Sequence, residues 1–210
     1  GAVFAKVKEA VERGLIDEAT ITESCRRLIL ARMKLGMFDE DAHVPYAAIP
    51  FEVNDCEEHH ELSLEAARRS LVLLKNDGLL PLNRDRLRTV AVIGPNADHI
   101  PALTANYNGR PSESYTVLQG VKALCPGARV LYAPGCTLSG KPDQEAWGER
   151  PGAGLAEAIT CASLADVVIL VTGLDATMEG EEGDAGDGDK TTLALPEMQL
   201  RLLEAVAATG

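Results

Sequence analysis

The sequence is short of positive charge. Its 20 Lys and Arg stand against 32 Asp and Glu, a formal net charge of −12. A surface so biased repels phosphates, which excludes nucleic acid as a partner. No CxxC pair occurs among the five cysteines, Cys25, Cys56, Cys125, Cys136 and Cys161, so no metal site of the zinc type is expected. Their odd number and wide spacing suit a reducing compartment, and the expectation is cytoplasmic rather than secreted. Cys25, Cys125 and Cys161 fall within helical patterns and read as small buried residues. No apolar run is long enough to span a membrane, so no membrane partner is expected, and no signal peptide is visible. A GxGxxG fingerprint is also missing. In Gly94-Pro95-Asn96-Ala97-Asp98, Pro95 removes a backbone donor that a phosphate would need. No nucleotide, and no other cofactor, is expected.

What is present is an ordinary globular composition, 46% apolar over 210 residues, enough for one or two domains. Residues 2–13 repeat Phe4, Val7, Ala10 and Val11 at helical spacing, and Gly14 ends the pattern. Residues 17–34 carry one apolar stripe, Ile21, Cys25, Leu28, Ile29 and Met33. Residues 38–53 form a linker in which Pro45 and Pro50 forbid a regular helix. Its aromatics Phe38, Tyr46 and Phe51 are expected to pin it to a surface. Asn54 and Glu57 stand at the spacing of a capping box, opening a helix that carries His59 and His60 near its start. Residues 71–74 read as extended, and Asn76-Asp77-Gly78 as a turn.

Beyond that turn the pattern alternates. Strands are expected at 89–93, 129–133 and 167–171, each followed by Gly at 94, 135 or 173. Helices are expected at 117–124, 154–164 and 196–208, with Pro196 fitting the first helical position. Such alternation predicts an α/β fold built of parallel βαβ units, with the three glycine-led loops opening on one edge of the sheet. Ligands of open α/β sheets bind at that carboxyl edge. Asp98 is a weak candidate for facing a ligand there, or else caps the next segment. Residues 139–152 read as an exposed excursion holding the single tryptophan, Trp147. An exposed Trp stacks on a ligand ring or anchors its own loop.

The densest chemistry lies between the third strand and the last helix. The 167–171 run reads as a buried strand. After it come Asp175, Glu179, Glu181, Glu182, Asp184, Asp187 and Asp189, against one cation, Lys190. Crowded carboxylates raise one another's pKa, and a carboxyl kept protonated serves as a general acid. Spacing alone equally allows a solvated acidic loop with no chemistry. Asp184, Asp187 and Asp189 depart from the spacing of a calcium loop, so no metal is expected there.

Three motifs carry a family resemblance. Gly173-Leu174-Asp175, Glu179-Gly180-Glu181, then Leu193-Ala194-Leu195-Pro196 and Gln199, resemble the acid/base loop of glycoside hydrolase family 3, in its β-xylosidase and β-glucosidase branch. SLVLLKNDGLLPL at 70–82 with TVAVIGPNAD at 89–98 resembles the entry to that family's second domain. Ala105-Asn106-Tyr107-Asn108-Gly109 with Thr116-Val117-Leu118 is the third match. The resemblance implies a division into terminal helices of a (β/α)8 barrel at 1–38, a linker and connecting helix at 39–70, and an α/β sandwich domain at 71–210. It implies part of a retaining exo-acting β-glycosidase, with a β-linked oligosaccharide or aryl glycoside as substrate and the rest of the barrel, which carries the nucleophile, as partner. Either Glu179 or Glu181 is then the acid/base, Glu179 by its distance from Gly173. The family often has Arg where Lys190 stands, and Lys does not make arginine's forked contact to a carboxylate. The competing reading is a non-catalytic carbohydrate-binding or structural fragment.

Overall fold

The computed structural model describes residues 4–104, 111–139, 152–178 and 192–210. The chain divides into two compact units, Gly1–Val72 and Leu73–Gly210.

In the first unit a 3-10 turn at Phe4–Lys6 leads into α1, Val7–Glu12, and Gly14 follows with φ of 67°. The next helix, α2, Glu18–Lys34, starts where Asp17 accepts the backbone N–H of Thr20 at 2.7 Å. That bond satisfies one orphan donor of the first turn. Short 3-10 turns at Asp41–His43, Pro45–Ala48 and Phe51–Val53 fill the stretch that Pro45 and Pro50 deny to a regular helix. Then comes α3, Glu57–Ser70.

None of these elements contains a buried residue, and that corrects three expectations. Cys25 is exposed, not buried. Phe38, Tyr46 and Phe51 are exposed rather than pinned, since the unit offers no core for them to enter. Asn54 is not the cap of α3: the chain turns at Asp55, with φ of 62°, so the cap position falls to Cys56, whose side chain makes no capping bond. Asp55 instead pairs with His60 at 2.8 Å.

The second unit is an α/β fold. Strands β1 (Thr89–Ile93), β2 (Arg129–Ala133) and β3 (Val167–Leu170) form a parallel sheet in the order β2-β1-β3 among the described residues. Helix α4 is the single turn Pro101–Thr104; α5 is Val117–Leu124, α6 Leu155–Ser163 and α7 Glu197–Ala207. Alternation along β1 builds two cores. Ala91 and Ile93 face one side and pack with Ala158, Ala162, Leu202 and Val206 of α6 and α7. Val90 and Val92 face the other and pack with Leu118 of α5. The result is three layers, helix, sheet and helix pair, with β1 buried on both faces. At the amino edge, Asp166 accepts the N–H groups of Arg88 and Thr89, each at 2.8 Å.

Two details differ from expectation. As an edge strand among the described residues, β3 is half-buried rather than buried. Pro196 occupies the cap position, with ψ of 142°, and α7 begins at Glu197.

Candidate functional site at the carboxyl edge

Because the strands are parallel, the segments after β1, β2 and β3 leave from one edge, and backbone contacts bring them close together. Gly94, with φ of 126°, ends β1 in a conformation that favours glycine. A Cβ there would collide with the carbonyl oxygen of Val171, so the exits of β1 and β3 touch. Gly94 donates its N–H to Ala133 at 3.0 Å, and Val171 donates to Ile93 at 2.7 Å.

The stem of the acidic loop is held from three directions. Gln199, in the first turn of α7, is fully buried. Its Oε1 accepts the N–H of Gly173 at 2.9 Å, and its Nε2 donates to the carbonyls of Gly173 at 2.7 Å and Leu138 at 2.8 Å. Asn96, after β1, donates from Nδ2 to the carbonyl of Leu174 at 3.2 Å. Its Oδ1 is buried and has no partner among the described residues. His99 Nε2 lies 2.7 Å from Asp175 Oδ2, and the Asp175 side chain is only 4% exposed.

Asp175 also accepts the backbone N–H of Thr177 at 2.9 Å and the Thr177 hydroxyl. Burial pushes its carboxyl up, but the bonds from Thr177 and His99 together outweigh burial and hold it below the usual carboxylate range. An ionised carboxylate with three donors accepts hydrogen bonds and does not give protons. Asp175 therefore anchors the loop and is no general acid. Cys136, in the segment after β2, is buried, and desolvation pushes its thiol up to about 11, which leaves it protonated and unreactive near neutrality.

Asp98, the weak binding candidate, is exposed and accepts the Thr116 hydroxyl at 2.7 Å. Thr116 caps α5 in a full capping box with Gln119, and Leu118 donates to the carbonyl of Ala97 at 2.9 Å. Asp98 thus steadies the start of α5. Glu179 and Glu181 lie outside the described residues, as do Asp184, Asp187, Asp189, Lys190, Trp147 and the 105–109 motif. Among the described residues no group of three His, Cys, Asp or Glu side chains is placed to hold a metal ion.

Sequence reasoning misses two parts of this arrangement. The Thr116–Gln119 capping box has a readable signal, the Thr-x-x-Gln spacing ahead of an apolar run. His99 has none: its partner lies 76 residues away, and only the adjacency of β1 and β3 brings the two together.

The model of the glycosyl hydrolase family 3 C-terminal domain matches residues 71–210. Beta-D-xylosidase 1 of Arabidopsis thaliana is 38% identical over 200 residues. Beta-xylosidase/alpha-L-arabinofuranosidase 1 of Medicago sativa subsp. varia is 36% identical over 200 residues. Each alignment covers 94% of this chain and 24% of the relative, so the chain spans about a quarter of the length of these relatives. A solved GH3 exo-beta-xylosidase superposes with a TM-score of 0.76 at 30% identity, over 96% of this chain and 24% of that one. A β-glucosidase from Erythrobacter marinus superposes with a TM-score of 0.76 at 28% identity, over 99% of this chain and 29% of that one. With the α/β sandwich architecture of these neighbours and a family match over two-thirds of its length, the chain belongs to glycosyl hydrolase family 3.

Proposed function

We propose that this chain is part of a retaining exo-acting β-glycosidase that removes terminal β-linked xylose or glucose, and that residues 174–195 supply its general acid/base. The observation that carries this reading is the stem of the acidic loop, clamped at the carboxyl edge of the sheet by Gln199, Asn96 and His99, in a chain similar along 94% of its length to β-xylosidases.

A retaining mechanism uses two carboxyl groups about 5 Å apart. One attacks the anomeric carbon. The other protonates the departing oxygen, then takes a proton from the water that releases the glycosyl-enzyme. The nucleophile belongs to a barrel domain outside these 210 residues, which also supplies most contacts to the terminal sugar. Of the two acid/base candidates Glu179 is preferred. Its distance from Gly173 in the sequence is the ground for that preference.

The test uses the full-length enzyme. Glu179→Ala slows glycosides with poor leaving groups far more than those with good ones, because only the former need protonation. Azide, which needs no base, restores turnover of a good leaving-group substrate and yields a β-glycosyl azide. If Glu181→Ala shows that pattern instead, the role moves to Glu181. If neither variant shows it, the loop is not catalytic.

A further inference from the structure

We infer that His99 is a positioning residue: through Asp175 it fixes the first turn of the acidic loop against the loop after β1, and so sets the point from which the segment carrying the acid/base candidates departs. The inference rests on the reading of residues 179–181 as the acid/base segment.

Asp175 lies four residues before Glu179. Its two oxygens have different work. Oδ1 takes both bonds from Thr177, two residues on, and these shape the turn without referring it to anything else. Oδ2 takes the bond from His99, 76 residues away in sequence. That bond and the parallel one from Asn96 to Leu174 refer the turn to the loop after β1. The loop is itself fixed to the core. Ala97 is fully buried and its carbonyl is bonded to Leu118, while Asp98 is bonded to Thr116. A carboxylate only accepts, so His99 is the donor of this bond. The Asp175 side chain is nearly inaccessible, so water replaces a lost His99 donor poorly and the turn shifts instead. Reacting groups tolerate little of that: a displacement of about 1 Å costs on the order of 100-fold in rate.

The test is made in the full-length enzyme with His99→Phe, which keeps a ring and removes the donor, and His99→Gln, whose amide reaches the same place as Nε2. For His99→Phe, kcat on an alkyl β-glycoside falls about 10- to 100-fold with KM within about twofold, while kcat/KM of a dinitrophenyl glycoside, whose departure needs no proton, stays nearly as before and its kcat, limited by base-assisted hydrolysis of the glycosyl-enzyme, is restored by azide. His99→Gln restores most of the loss. Unchanged kinetics in His99→Phe overturn the inference. So does an equal loss on both substrates that Gln does not restore, since that marks a general folding defect. If His99→Phe does not fold, His99→Asn takes its place, its shorter amide leaving Asp175 out of reach. Amide exchange at Thr177 keeps this test separate from that of the acid/base. Without the His99 donor, exchange at Thr177 quickens while Val92 stays slow, whatever Glu179 and Glu181 do. A Thr177 rate equal to that of the parent enzyme overturns the positioning role even if the acid/base assignment stands.

Discussion

At the scale of single residues, the carboxyl edge depends on a few polar side chains that each serve distant backbone. Gln199 is the clearest case. Its substitution by Leu keeps the volume but leaves the N–H of Gly173 and two carbonyls without partners in a buried place. We expect a loss of roughly 2–4 kcal/mol in denaturant unfolding. Asp175 adds a pH dependence. Its folded pKa is depressed, so the stabilisation is complete above the unfolded value of about 3.9 and is lost as pH falls through the folded value. Urea midpoints of the parent chain and of Asp175→Asn should therefore differ at pH 6 and converge as the pH drops below about 4. A gap that stays constant down to pH 3 would show that the carboxylate charge is not what matters. Gly94 could be marked as special from the sequence because it ends an apolar run. That its missing Cβ makes room for Val171 could not, because the contact joins two strands far apart in the chain.

At the scale of elements, short apolar runs followed by glycine were sufficient to place β1, β2 and β3, although only β1 is buried on both faces. Helix ends were less legible. At α3 the Asn54-to-Glu57 spacing suggested a cap, but the positive φ of Asp55 moves the start to Cys56. Burial was legible only where a partner layer exists. The stripe on α2 is amphipathic by its spacing, yet Leu28 and Met33 remain 64% and 58% exposed. A stripe of this kind promotes association. Deleting residues 1–38 is expected to raise the monomeric fraction in sedimentation velocity, and an equal or lower fraction would contradict the reading. Thr116→Ala tests another element. Loss of the capping box should cost about 1 kcal/mol and release Asp98 from its bond.

At the scale of the whole molecule, the proposed chemistry needs two carboxyl groups and this chain offers candidates for one. The 210 residues alone should not hydrolyse nitrophenyl β-xyloside or β-glucoside, even at high protein concentration. Turnover that survives purification and vanishes in Glu179 and Glu181 variants would show that a second carboxyl is present within the chain after all. The alternating βα plan and the direction of the three loops could be read from the sequence, because parallel strands admit only one common carboxyl edge. The ties that hold those loops to one another could not, since they depend on strand order, and β1 sits between β2 and β3 without any local signal that it does.

The pair of hydrogen bonds between Gln199 and Gly173 has a consequence for how this family can diversify. It fastens the two ends of the 174–195 segment to each other, at the root, like a clasp. The entropy of closing such a segment rises only slowly with its length, about 0.6 kcal/mol for each doubling. Residues added to or removed from the segment are therefore expected to leave the sheet, its register and both cores as they are. The glycine-rich acidic stretch is thus an exchangeable cassette, and grafting a shorter one between Asp175 and Pro196 should leave the melting temperature of the second unit within a few degrees.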